Sequence, residues 1–167
     1  MTSLVALSIS IGVLGAVAAW LALGPLSAYL AIWIIFIGWA TYFATGGDTA
    51  GLKTTIVSGI WGAICAWVAL MILKTFPLDL GQAVWPAIVV GATVLVLCLG
   101  AHVEALKNIP ASVYGYAATA AVALTSASAD VTAANFSNPL IFAVVSIIVG
   151  AIFGFVSGKL AGALGKG

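Results

Sequence analysis

The chain has 167 residues, of which 64% are hydrophobic and only 5% are charged, and its formal net charge is +1. A soluble domain carries about a quarter charged residues and needs them to cover its surface. The composition therefore excludes a soluble enzyme, and the lack of any basic patch excludes a nucleic-acid-binding protein. We expect an integral membrane protein in contact with the lipid bilayer, with residues 1–167 forming one membrane domain.

Six apolar stretches have the length of about 20 residues that a helix needs to cross the hydrocarbon. They cover residues 4–23, 26–45, 52–73, 82–101, 109–128 and 139–160. The first stretch has no basic region before it and is too long for the apolar part of a signal peptide, so we expect a retained helix. The fifth is rich in Ala, Ser and Thr and is compatible with a continuous or a broken helix. The sequence predicts an all-α membrane protein with six transmembrane helices.

The lysines are distributed unevenly between the two sides that six crossings define. Lys53, Lys107, Lys159 and Lys166 share a side with both termini, whereas Lys74 lies on the other side. Positively charged loops remain preferentially in the cytoplasm. This distribution predicts that both termini are cytoplasmic.

The two halves of the chain, about 1–80 and 81–167, resemble each other. Residues 57–64 read VSGIWGAI and residues 145–152 read VSIIVGAI, so six of eight positions agree. Two shorter matches occur in the same order: Gly-Trp-Ala at 38–40 with Gly-Tyr-Ala at 115–117, and Ile11-Gly12 with Val90-Gly91. Because each half has an odd number of spans, the sequence predicts two inverted three-helix repeats, an arrangement typical of transporters. A duplicated scaffold that transports nothing is the alternative.

Glycines recur at every fourth position of the last span. Gly150, Gly154, Gly158 and Gly162 would lie on one helix face, where small residues allow two helices to approach closely. The pattern predicts helix packing, either within one chain or between copies, and we expect a homo-oligomer.

Hydroxyl and aromatic side chains inside the spans are the candidates for lining a path through the membrane, since hydroxyls donate and accept hydrogen bonds. These pore-lining candidates are Trp39, Thr41, Tyr42, Ser58, Tyr114, Tyr116, Thr119 and Ser146. The alternative for each Ser and Thr is a hydrogen bond to a carbonyl of its own helix. Asp48 and Asp130, in loops, are candidates for charges in a vestibule, or else simply make those loops soluble.

No pattern in the sequence indicates catalysis. There is no nucleophile next to a base, and His102 with Glu104 lacks the further ligands of a metal site. We therefore expect no enzymatic activity, no metal and no cofactor. The central third of each span has no charged residue, which disfavours proton-coupled transport. The sequence favours a channel or facilitator for a small uncharged solute, such as urea, an amide or ammonia. The alternative is a non-transporting subunit that anchors or stabilises a larger complex.

One stretch resembles a known family. Residues 36–44, FIGWATYFA, are followed by Gly47 and then by Gly-Leu-Lys at 51–53, and residues 150–154 read GAIFG near the end. Together they resemble a family of small bacterial inner-membrane proteins catalogued as a domain of unknown function, DUF1097, over nearly the whole chain. The resemblance implies a location in the bacterial inner membrane and implies no activity.

Overall fold

A computed structural model of the chain describes residues 1–80 and 82–165, which leaves Gly81, Lys166 and Gly167 outside the described part. Within those residues the regular elements are all helical, with no strand. The α-helices are α1 (Ser3–Leu23), α2 (Ile32–Ala44), α3 (Thr49–Thr75), α4 (Val84–Leu99), α5 (Ile109–Thr125) and α6 (Pro139–Leu164). Two 3₁₀ helices, Gly100–His102 and Glu104–Leu106, join α4 to α5. The all-helical class predicted from the sequence is confirmed.

The helices differ in whether they are long enough to cross a bilayer. Four described stretches are long and apolar enough: Ser3–Leu23, Thr49–Thr75, Val84–His102 and Pro139–Leu164. The other two are shorter, with 13 residues in α2 and 17 in α5. At 1.5 Å per residue α2 is about 20 Å long, less than the hydrocarbon thickness of about 30 Å. The two short helices are the second helix of each predicted half.

The second helix begins six residues later than the sequence predicts, at Ile32 and not at residue 26. Gly24 ends α1, and Pro25 has no N–H with which to continue it. The next residues form turns, in which the Leu26 N–H bonds to the Leu21 carbonyl and the Tyr29 N–H to the Leu26 carbonyl. These turns satisfy part of the non-helical backbone within the protein. The fifth helix, by contrast, is continuous.

Side chains at the helix starts accept hydrogen bonds from the first N–H groups, which lack partners inside the helix. Thr2 caps α1 through the N–H of Val5. Asp48 caps α3, with 2.7 Å between its Oδ1 and the Gly51 nitrogen. Asn138 caps α6 at 2.9 Å from the Leu140 nitrogen.

The chain forms two compact units, Met1–Ile56 with Val145–Gly167, and Val57–Val144. The first unit contains α1, α2, the start of α3 and most of α6. The second contains most of α3, then α4, α5 and the start of α6. Each unit thus combines two helices of one predicted half with most of the third helix of the other half. The division falls at Val57 and Val145, which are the positions that the sequence repeat aligns.

The core of the first unit is built from α1, α2 and α6. One cluster of buried residues consists of Ala18, Ala22, Leu30, Ile35 and Trp39, with partly buried side chains such as Ile11, Val149 and Phe153 packed around them. Ser10 on α1 donates its hydroxyl to the Ser157 carbonyl on α6 at 2.8 Å. Small residues on α1 let the other helices approach it closely, which stabilises helix packing in lipid.

Candidate functional site

In the first unit, α2 and α6 cross with their backbones in contact. A Cβ added to Gly38 would lie 2.5 Å from the carbonyl oxygen of Ile147, and one added to Gly150 would overlap the carbonyl of Ile35. Both contacts would be closer than the contacts that real Cβ atoms make. The two glycines therefore permit the α2–α6 crossing.

In the second unit, α3 and α5 cross in the same way. A Cβ on Gly62 would overlap the carbonyl of Ser112, and one on Gly115 would overlap the carbonyl of Gly59. The added Cβ atoms would overlap the facing carbonyls more deeply here than at Gly38 and Gly150. The helices of the α3–α5 crossing are therefore closer together than those of the α2–α6 crossing. Neither position tolerates a side chain without movement of a helix backbone.

The two crossings use positions that the sequence repeat aligns. Gly115 takes the place of Gly38, and Gly62 takes the place of Gly150. Their partners correspond as well, since Gly59 aligns with Ile147 and Ser112 stands three residues before Gly115, as Ile35 does before Gly38. The close glycine contacts of each unit therefore fall at positions that the sequence match aligns.

The starts of α2 and α5 are satisfied by different residues. Ala31, which precedes α2, has no side-chain acceptor, and its N–H donates to the Ser146 hydroxyl at 3.2 Å. At the corresponding place before α5 stands Asn108, whose own Oδ1 accepts from the Ala111 N–H at 3.0 Å. Because Asn108 caps α5 locally, Ser58, the counterpart of Ser146, accepts no hydrogen bond from the start of α5.

Several of the buried hydroxyls bond to a carbonyl of their own helix, as membrane helices commonly allow. Thr41 donates to Ile37 at 2.7 Å, and Thr93 donates to Val89 at 2.9 Å. Among the described residues, the hydroxyls of Ser58 and Thr119 are buried and have no hydrogen-bond partner. An unsatisfied buried group of this kind costs about 1–3 kcal/mol. These two hydroxyls flank the α3–α5 crossing, because Ser58 is one turn before Gly62 and Thr119 one turn after Gly115.

The aromatic candidates lie in different surroundings. Trp39 is buried and donates its indole N–H to the Ser157 hydroxyl at 3.0 Å. The Tyr42 hydroxyl donates to the Gly47 carbonyl, in the turn before α3. Tyr116 shares a hydrogen bond of 2.9 Å with Thr93 on α4, but Tyr114 is 45% exposed on the outer side of α5. The structure thus brings Tyr116 close to the α3–α5 crossing and leaves Tyr114 apart from it.

The two vestibule candidates are both engaged in local structure. Asp48 is the cap of α3 described above. Asp130 accepts from the Lys74 ammonium at 2.8 Å and from the Thr132 hydroxyl at 2.7 Å. Those hydrogen bonds, that of Lys74 above all, hold the pKa of Asp130 well below its usual value. The pair fixes the loop after α5 to the end of α3.

The glycine row on α6 divides into packed and open positions. Gly150 packs against α2, and a Cβ on Gly154 would lie 2.7 Å from the ring of Tyr42. At Gly158 the nearest atom, the Tyr42 hydroxyl, would be at an ordinary 3.6 Å, and Gly162 has nothing within 4 Å. The first two glycines therefore serve packing inside the chain.

Two residues with evident roles escaped the sequence analysis. Ser157 accepts from Trp39 and donates to the Gly154 carbonyl at 2.7 Å, and nothing in its sequence context marks it. Asn108 has a recognisable signal, because an Asn two residues before Pro110 is typical of a helix start. In the described part of the chain, no group of three His, Cys, Asp or Glu side chains is placed to hold a metal ion.

These observations define a small all-helical protein whose long apolar helices are compatible with a membrane. The family model described as "Protein of unknown function (DUF1097)" matches residues 8–162, so the chain belongs to this family. The resemblance deduced from residues 36–53 is confirmed. No curated protein and no solved structure matches the chain.

Proposed function

We propose that the chain crosses the membrane six times as two inverted three-helix repeats. The equivalent glycine contacts of the two crossings support this proposal, as do the short helices α2 and α5. Short hydrophobic segments at corresponding positions of two repeats mark the substrate site in transporters of this architecture.

The Lys74–Asp130 ion pair supports six crossings over four. Lys74 is at the end of α3, and Asp130 is in the loop after α5. If α4 crossed the membrane and α5 did not, these two residues would be on opposite sides. Their contact fits a chain in which α4 and α5 both cross.

The function that we infer is a channel or facilitator for a small uncharged solute, of the urea, amide or ammonia type. The observation that carries it is the pair of buried, unpartnered hydroxyls at the α3–α5 crossing. Hydroxyls hold neutral polar solutes by hydrogen bonds, and the uncharged centres of the spans suit a solute without charge. Such a protein needs no catalytic residue and no cofactor.

Purified protein reconstituted into liposomes tests this function. Light scattering after osmotic shocks with urea, formamide, glycerol and salts, and an internal pH dye after an ammonium pulse, measure the rates. We expect faster equilibration than in empty liposomes for at least one small neutral solute and no effect on salts. Liposomes with an unrelated membrane protein at equal protein-to-lipid ratio are the control. Rates equal to the control for every solute would contradict the proposal.

The second candidate is a non-transporting membrane subunit of a larger complex. One observation favours it: Gly12 on α1 and Gly91 on α4 are exposed, and a Cβ on either would have nothing within 4 Å. Another helix has room to approach there, whether from a second copy or from a different protein. A different polypeptide that remains bound through mild purification, together with inactive liposomes, would favour this candidate.

For location and topology, we propose the bacterial inner membrane with both termini in the cytoplasm. The support is the lysine distribution, in which the described Lys53, Lys107 and Lys159 share one side and Lys74 the other.

A further inference from the structure

Ser58 and Thr119 differ from the other helix hydroxyls of the chain. Ser10 donates to a carbonyl of another helix, but seven of those hydroxyls use the nearest acceptor, a carbonyl three or four residues earlier. Thr41, Thr45, Thr93, Ser112, Thr125, Ser157 and Ser8 all do so. Ser58 and Thr119 have the same option in their own helices, yet in the described structure neither takes it. Both are fully buried, so solvent does not replace the missing bond.

The corresponding positions at the α2–α6 crossing are satisfied. Ser146, which aligns with Ser58, accepts from the Ala31 N–H. Tyr42, which aligns with Thr119, covers Gly154 with its ring and donates its hydroxyl to Gly47. At one crossing both of these side chains therefore have a hydrogen-bond partner, and at the equivalent crossing neither does.

The two crossings also differ in side-chain volume. Thr119 stands where the other crossing has Tyr42, and it is smaller by most of a phenol ring. Ala66 stands where the other crossing has Gly154, and it is larger by one methyl group. In the structure, α3 and α5 compensate for this difference in volume by approaching each other more closely than α2 and α6 do. We call this the closed arrangement. If α3 and α5 separated, the space beside Thr119 would have room for a molecule no larger than a phenol ring.

We propose that α3 and α5 part during transport and that Ser58 and Thr119 then hydrogen-bond the solute. This inference rests on the proposed function. The solute makes these bonds only in the opened arrangement, so it favours that arrangement over the closed one. The α2–α6 crossing, where Ser146 and Tyr42 both have hydrogen-bond partners, stays closed. The chemistry fits a compact neutral solute with both donors and acceptors, no larger than a phenol ring.

Paired substitutions in the reconstituted protein test the inference. Ser58→Ala and Thr119→Val remove the two unpartnered hydroxyls, and Ser8→Ala and Thr125→Val make the same changes at exposed hydroxyls that bond to their own helix. We expect the first pair to lower the solute rate about tenfold or more, as for a bond made only in the opened state. The second pair should keep the rate. Thr119→Ser, which restores the hydroxyl, should recover most of the activity.

A thermal unfolding curve for each variant separates a binding role from a structural one. Removal of a hydroxyl that has no partner should leave the midpoint unchanged or raise it. A lower midpoint for Ser58→Ala and Thr119→Val, in step with lost transport, would overturn the inference.

The remaining outcomes distinguish the two proposals. If the unaltered protein transports a solute and Ser58→Ala and Thr119→Val match their controls, the inference fails and the proposed function stands. If glucose, which is larger than a phenol ring, passes as fast as urea, the size limit fails. If the unaltered protein moves no solute, the proposed function itself fails.

Discussion

Glycine at four positions determines how closely the helices of each unit approach. At Gly62 and Gly115 the atom that a methyl group would meet is a backbone carbonyl, which cannot rotate away as a side chain can. The same holds for Gly38 and Gly150. The sequence repeat singled out these positions, but only the structure shows that each one faces a carbonyl of another helix.

Gly62→Ala and Gly115→Ala should each destabilise the protein by about 1–3 kcal/mol, because the added methyl group forces α3 and α5 apart. Gly91→Ala is the matched control, since a Cβ there has nothing within 4 Å. It should be neutral or stabilise the helix by up to about 1 kcal/mol. Unfolding in mixed micelles, followed by tryptophan fluorescence, measures the difference. Equal stability of all three variants would mean that the α3–α5 crossing is looser than described.

At the scale of the element, α2 and α5 begin at corresponding places with different chemistry. Ala31 has the extended backbone of a helix cap, with φ −111° and ψ 122°, but lacks a polar side chain. Ser146 on another helix accepts its N–H instead. The start of α2 thus depends on a residue far away in the sequence, whereas α5 has a local cap in Asn108.

Ser146→Ala should destabilise the protein by about 1–2 kcal/mol, because it leaves the partly buried Ala31 N–H without an acceptor. Adding Ala31→Asn should recover part of this loss, since the new side chain provides α2 with the kind of cap that α5 has. Ser8→Ala, at an exposed hydroxyl bonded to its own helix, is the control. Free energies of unfolding for the single and double variants check the prediction, and a double variant no more stable than Ser146→Ala would contradict it.

The difference between local and distant caps explains which helix boundaries could be predicted from the sequence. The ends of α1, α3 and α5 follow local signals, such as Gly24 after α1 and Asn108 before α5, and were predicted to within about three residues. The start of α2 follows no local signal, and the prediction was six residues early. Likewise, hydrophobicity placed Ser58 and Tyr114 inside spans but could not tell the buried hydroxyl from the exposed ring, because that difference depends on the neighbouring helices.

At the scale of the whole molecule, the repeat and the helix lengths lead to different topologies. Counting only the long helices gives four crossings, whereas the repeat with its paired short helices gives six. In both topologies Thr2 and Ser128 lie on opposite sides of the membrane. They differ in the side of the membrane on which they place Asp79, between α3 and α4, and Lys107, between α4 and α5.

Single cysteines introduced into a variant with Cys65→Ala and Cys98→Ala decide between them. With six crossings and cytoplasmic termini, a membrane-impermeant maleimide added to intact cells should label Asp79→Cys and Ser128→Cys but not Thr2→Cys or Lys107→Cys. With four crossings the reagent would label Lys107→Cys and Ser128→Cys and spare Asp79→Cys. The Lys74–Asp130 ion pair, which joins the end of α3 to the loop containing Ser128, favours the first pattern. Labelling of Thr2→Cys and Lys107→Cys alone would keep six crossings and reverse the orientation, because every loop would then have exchanged sides.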